Sequence, residues 1–167
     1  MVKLANRLDI MRNISDMPEE ERKKYARETL EIFAPLAHRL GVSQLKSEIE
    51  DLAFQAMKPE EFEKLRDNAE ALREERENTL KNVIGELKEF FNSADFKVNI
   101  SGRNKHLYSM YKKMMRLGIN FSELFDITAV RIIVEKEGEC YQALSMLHRR
   151  WTPVPGTLDD YIQEPKN

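Results

Sequence analysis

Cysteine is almost missing from this chain. Cys140 is the only one in 167 residues, which excludes an internal disulfide and any zinc site built on paired cysteines, and makes a reducing cytoplasm the expected compartment. A surplus of either charge is missing too. The 27 basic side chains stand against 29 acidic ones, so bulk charge does not attract nucleic acid, no sequence-specific DNA binding is expected, and any polyanion must meet a local patch. Long apolar runs are also absent. The opening "MVKLANRLDIMRN" is interrupted by Lys3, Arg7, Asp9 and Arg12, and no later run approaches bilayer length, so neither an export signal nor a membrane partner is expected.

What is present is a 41% hydrophobic content, enough for the core of one or two small domains. Helical periodicity begins at once with Leu4, Leu8 and Met11. "PEEERKKYARETLEIFAPLAHRL", Pro18 to Leu40, starts with acids behind a proline, repeats at Tyr25, Thr29, Phe33, Leu36 and Leu40, and ends at Gly41. Pro35 should kink this helix or divide it. A second helix is expected over Ser43 to Met57, and Pro59 opens a long third one. Its stripe runs through Phe62, Leu65, Ala69, Leu72, Leu80, Val83, Leu87 and Phe90, with "REEREN" at 73–78 as a solvated stretch.

Near residue 95 the period changes. Phe96, Val98 and Ile100 alternate with Lys97, Asn99 and Ser101, as in a half-buried strand. A basic stretch, "SGRNKHLYSMYKKMMR", follows as a helix, then "DITAVRIIV" as a central strand, then the helix "EGECYQALSMLHRRW" with Tyr141, Leu144 and Leu147 on one face. Cys140 is expected as buried filler, and His148, Trp151 and Tyr161 as packing residues. The last residues, "DDYIQEPKN", stop in a loop, so both ends suggest a piece of a longer protein.

The basic stretch, Ser101 to Arg116, contains no carboxylate. A helix starting just behind a strand offers free N–H groups beside Arg103 and Lys105, and on that helix Lys105, Ser109 and Lys113 would share a face suited to consecutive phosphates. The plain alternative is a solvated basic face beside an apolar one of Leu107, Met110 and Met114. Asp126, at the edge of the next strand, supplies one of the carboxylates a magnesium-dependent phosphoryl transfer needs, or is only a strand-end aspartate.

"GRNKHLYSMYKKM", "FDITAVRIIV", "CYQALSMLHRRWTPVPG" and "DDYIQEPK", in this order, closely resemble the synthetase domain of RelA/SpoT homologues, which make (p)ppGpp. Upstream, "KLANRLDIMRN" and "ETLEIFAPLAHRLGVSQLKSEIEDLAF" resemble the end of that family's helical hydrolase domain and its linker. The resemblance implies an α+β chain: a hydrolase remnant with linker helices over 1–58, a long linker helix over 59–94, and the first part of a nucleotidyltransferase-like synthetase domain over 95–167. It implies attack of the 3′-hydroxyl of GDP or GTP on the β-phosphorus of ATP, releasing AMP. In that scheme Arg103 packs on adenine, while Lys105, Ser109 and Lys113 hold the ATP phosphates. Asp126 is the catalytic magnesium ligand. Lys166 approaches the guanine-nucleotide phosphates, with Arg131 a further candidate there; the plain alternative for Lys166 is an exposed tail lysine.

Three departures from the family matter. Hydrolase-competent relatives read "KLADRLHNM", whereas this chain has Asn6 for the metal-binding aspartate and Asp9 and Ile10 for the histidine and asparagine, which implies a dead hydrolase. "TLDD", Thr157 to Asp160, replaces a basic "RFKD"-type motif and sides with the acidic type of synthetase-only relatives. Asp159 is then either a recruiter of another magnesium ion or a surface carboxylate. The chain also stops before the family's guanine-stacking tyrosine and second magnesium-binding glutamate, so its active site is expected to be incomplete. Two other readings stand beside this one: a non-catalytic module that binds the rest of the protein or a ribosome, and a nucleotidyltransferase-like enzyme acting on RNA ends.

Overall fold

A computed structural model describes the chain except residues 125–127 and 166–167 and the side chains of Arg103 and Asn104. Its described residues are 69% helical with one two-stranded antiparallel sheet, the α+β class that the resemblance implies. The helices are α1 (Val2–Arg12), α2 (Glu19–Glu28), α3 (Ala34–Arg39), α4 (Ser43–Met57), α5 (Pro59–Ala71), α6 (Arg73–Phe91), α7 (Leu107–Leu117) and α8 (Glu137–Arg150). The strands are β1 (Asn99–Asn104) and β2 (Thr128–Ile133). Residues 1–83 with 102–130 form one compact unit, and residues 84–101 with 131–167 form the other.

In the first unit, α4 carries two cores. Toward α1 and α2 it packs Ala53 with Met11, Ile14 and Ala26. Toward α5 and α7 it packs Phe54 with Phe62, Leu65, Met110 and Leu124. The Phe54 ring stacks on Tyr111 at 4.5 Å and meets Phe62 edge-on at 5.6 Å. Such ring pairs add to the burial of the aromatic surface, which is the larger contribution.

The helix expected from Pro18 to Leu40 is divided by a wide π turn, Thr29–Phe33, just ahead of Pro35. An extra residue in one turn rotates the downstream residues by about 100°. The buried positions are accordingly Ala26, Thr29, Ala34 and Ala37, while Leu36 and Leu40, expected on the stripe, are exposed. Thr29 is wholly buried and donates its hydroxyl to the Tyr25 carbonyl at 2.7 Å. Gly41 then closes α3 at φ +71, with the Val42 N–H bonding back to the Ala37 carbonyl.

The single long helix expected from Pro59 is instead two, broken at Leu72. No glycine or proline marks this break. Arg76 satisfies the carbonyls it exposes, donating from Nε to Leu72 at 3.1 Å and from Nη2 to Ala69. Leu72 and Val83 therefore leave the predicted stripe and are exposed.

In the second unit Leu87, Phe91, Ile100 and Ala143 are buried, and Phe90 meets Trp151 edge-on at 5.4 Å. The strand residues alternate as expected, with Phe96 and Val98 half-buried, Ile100 buried, and Lys97, Asn99 and Ser101 exposed. Strand β1 itself begins later, at Asn99. The segment expected as a central strand is half-exposed: β2 alternates along its length, leaving Ile133 exposed, because β1 is its neighbour in a two-stranded sheet. Tyr141 likewise lies at the exposed edge of α8 rather than on its buried face, which Ala143 centres.

Arg7 is a buried cation of the first unit. Its guanidinium lies 4.0 Å from the centre of the Phe33 ring and donates to Glu28 at 2.7 Å. Because Glu28 is half-exposed, the pair is worth less than a fully buried one, and the ring packing is the larger part. Arg7→Ala should therefore lower unfolding free energy by about 2 kcal/mol and Glu28→Gln by less than about 1 kcal/mol, as read by urea denaturation; equal losses would show that the ion pair, not the ring packing, carries the contribution.

Candidate phosphate-binding site

The basic stretch is not helical throughout. Arg103 lies on β1, Lys105 follows in the connection, and His106 is the extended N-cap of α7. Lys105 therefore precedes the helix, and the expectation that it shares a helical face with Ser109 and Lys113 is corrected. Ser109 and Lys113 do lie one turn apart on α7, both half-buried. A Cβ at Gly102, just before Arg103, would overlap the Leu80 side chain, which would have to shift.

The helix N-terminus is also not free. Asp51 of α4 accepts a hydrogen bond from the Tyr108 N–H at 2.8 Å, and its other oxygen lies 3.7 Å from Nδ1 of His106. A carboxylate thus already occupies the positive end of the dipole, where the sequence suggests a phosphate. The apolar face packs as anticipated: Met110 is buried, with Leu107, Tyr108, Tyr111 and Met114 against the Phe54 cluster. Burial, followed by the nearby Glu50 carboxylate, pushes the Tyr108 hydroxyl pKa up and keeps it neutral.

Lys105 lines a cavity of about 310 Å³ together with Arg66, Arg73, Arg76, Glu70 and Glu77. The residues expected as a solvated stretch supply much of this wall. Arg73 bonds Glu70 at 3.1 Å and Glu77 at 2.9 Å, and Arg66 bonds Glu63 and Asp67, so these cations bring their own counter-charges. Spacing does not signal this grouping, because Arg66 and Arg73 stand on separate helices on either side of the break at Leu72. A larger cavity of about 690 Å³, walled by Leu65, Tyr111, Met114, Ile119 and Phe121, contains none of the predicted site residues. The cavity beside Lys105 is the one that a predicted site residue lines.

In the second unit Arg131 is exposed on β2. Asp159 accepts a hydrogen bond from the Tyr161 hydroxyl at 3.1 Å. Its neighbour Asp160 accepts the N–H groups of Ile162 and Gln163 at 3.0 Å each, and the Tyr141 hydroxyl at 3.0 Å. The Gln163 N–H is the main cause holding the Asp160 carboxyl below its ordinary pKa; burial and then the Asp160 carboxylate push the Tyr141 hydroxyl up. Cys140, expected as buried filler, is exposed: it shares a stripe with Ala143 and Leu147 but stands in the opening turn of α8, ahead of the point where burial begins at Ala143. His148 is exposed, and Trp151 packs on Phe90 while remaining 41% exposed. Asp126, Lys166 and the Arg103 side chain lie outside the described residues. The structure thus brings Lys105, Ser109 and Lys113 together in one unit and holds Arg131 and Asp159 in the other.

Asn6 and Asp9 are exposed on α1 and Ile10 is half-buried. This segment falls in residues 1–43, which match the model of the HD domain, while residues 102–167 match that of a region found in RelA/SpoT proteins. Over 166 residues, 99% of its length, the chain is 43% identical to a GTP pyrophosphokinase of Myxococcus xanthus, 42% to one of Streptomyces coelicolor and 39% to one of Escherichia coli. The chain belongs to the RelA/SpoT family. It spans about a fifth of the length of these relatives, 20–22%.

Within the RelA/SpoT match lie Arg103, Lys105, Ser109, Lys113, Asp126, Arg131, Asp159 and Lys166. Among the described residues, no three histidines, cysteines or carboxylates gather as a metal site; Asp126, the expected magnesium ligand, lies outside them. Among the described residues, no helix is long and apolar enough to cross a membrane.

Two outcomes are expected. Asp51→Ala should cost about 1 kcal/mol in thermal or urea unfolding, with Asp51→Asn recovering most of it because one acceptor oxygen remains. For Asp160 the folded pKa is depressed, so its contribution is present above the unfolded pKa and lost as pH falls through the folded one. The Ile162 and Gln163 amide resonances should accordingly hold steady down to about pH 4 and move below it; movement nearer neutrality would contradict the capped turn.

Proposed function

We propose that this chain contributes part of a (p)ppGpp synthetase that moves a pyrophosphoryl group from ATP to the 3′-hydroxyl of GDP or GTP. The new bond joins O3′ to the β-phosphorus as the bond from that phosphorus to the AMP oxygen breaks. The observation that carries this reading is the β1–α7 corner: Lys105 at the helix entrance, then Ser109 and Lys113 one turn apart on α7. A hydroxyl and two ammonium groups in that order suit the ATP phosphates, with Arg103 against the adenine. Arg131 and Lys166 are assigned to the guanine-nucleotide phosphates, and Asp126 to magnesium, with Asp159 a further ligand; these rest on the family resemblance. The hydrolase is proposed to be inactive because Asn6 presents a neutral amide where a metal-binding carboxylate stands in active relatives. The cytoplasm is the proposed compartment.

One observation favours a second reading. The cavity cations are paired and the α7 N-terminus is capped by Asp51, as a non-catalytic module binding the rest of the protein or a ribosome would allow.

Incubating this chain, and a version extended along the relatives' length, with ATP, GDP and magnesium separates the two. AMP and ppGpp from the extended chain support the synthetase; no product from a folded extended chain supports the module. In the active form Lys105→Ala should raise the KM for ATP about tenfold or more, and an unchanged KM would remove Lys105 from the phosphate cradle.

A further inference from the structure

We infer that Tyr141 and Asp160 are positioning residues: their hydrogen bond anchors the segment 154–164 to α8 and so sets where Asp159, the proposed further magnesium ligand, stands beside the guanine nucleotide. This role rests on the synthetase reading. The segment has little apolar anchorage. Val154, Leu158, Tyr161 and Ile162 are all exposed, from 40 to 68%, so burial does not fix its course.

Local polar contacts shape it instead. Gly156, at φ +74, turns the chain, and the Thr157 hydroxyl closes that turn on the Val154 carbonyl at 2.7 Å. Asp160 begins the next turn, accepting the Ile162 and Gln163 N–H groups while its carbonyl accepts that of Glu164 at 3.0 Å. Both turns are internal to the segment and leave its attachment to the rest of the unit undecided. The Tyr141 hydroxyl, 3.0 Å from Oδ2 of Asp160, ties them to a fourteen-residue helix.

The same contacts divide the labour between adjacent carboxylates. Asp160 accepts from three donors, which uses most of its lone pairs and leaves it poorly placed to take a metal or nucleotide contact. Asp159 accepts from the Tyr161 hydroxyl and keeps acceptor capacity. Asp160 therefore holds the turn, and the exposed Asp159 is the carboxylate left with capacity for a ligand.

The test uses the full-length protein. Tyr141→Phe should raise the KM for GDP about fivefold while the KM for ATP and the melting temperature stay put, and should speed amide exchange at Ile162 and Gln163. Asp160→Asn, which keeps one acceptor oxygen, should be milder than Asp160→Ala. If Tyr141 acts through Asp159, adding Tyr141→Phe to Asp159→Ala should raise the GDP KM no further. An unchanged KM for GDP, additive effects in the double variant, or parallel changes in both KM values with a lower melting temperature would overturn the positioning role. A wild-type protein that releases no AMP from ATP and GDP would overturn the synthetase reading itself, and is seen before any variant is compared.

Discussion

The first unit depends on what one face of α4 offers to α7. Phe54 inserts into the cluster of Tyr108, Met110 and Tyr111, and Asp51, three residues earlier on the same face, receives the Tyr108 N–H. The two contacts differ in kind. Burying a phenylalanine ring contributes on the order of 2–3 kcal/mol and holds the helices together, but apolar contact tolerates sliding. The directional bond to Asp51 is smaller, about 1 kcal/mol, and accepts one register. Together they determine which way Ser109 and Lys113 point. In consequence the positive end of α7 is no longer available to a ligand, so phosphate binding at the corner has to come from side chains.

On its other side α4 meets the N-terminal helices through small residues. Ala26, Ala34, Ala37 and Ala53 are buried, which lets the helix backbones approach closely. The π turn at Thr29–Phe33 is what brings the alanines, rather than Leu36 and Leu40, to that interface. Arg7 then fills the gap beside the turn, with its guanidinium on Phe33 and its charge met by Glu28. A segment that resembles a metal-dependent hydrolase thus has a packing role in the present chain, with its arginine inside and its Asn6 and Asp9 outside.

Much of this is legible in the sequence where local chemistry decides. Pro59 and Gly41 mark helix ends because one lacks an N–H and the other tolerates positive φ, and both boundaries fall where those residues stand. The alternation through Phe96, Val98 and Ile100 marks the approach to β1, since one face of a half-buried strand must be apolar. The break at Leu72 is not legible, because the side chain that satisfies its carbonyls, Arg76, lies beyond it and reads as part of a charged solvated run. Lys105 misleads for a related reason: spacing by four looks helical whether or not the helix has begun. Cys140 misleads because residue type sets an average burial, while its position on α8 sets the actual one.

The sequence by itself determined the α+β class, the helical half, the change of period near residue 95 and the family, since these depend on composition, periodicity and ordered motifs. The tertiary structure alone decided that Asp51 caps the basic helix, that Arg66, Arg73 and Arg76 join Lys105 around one cavity, and that Asp160 is committed to a turn while Asp159 is not. Each of these is a meeting of polar groups far apart in the chain or around a turn. Hydrogen bonds and ion pairs act within about 3–4 Å, and no one-dimensional pattern records which groups come that close.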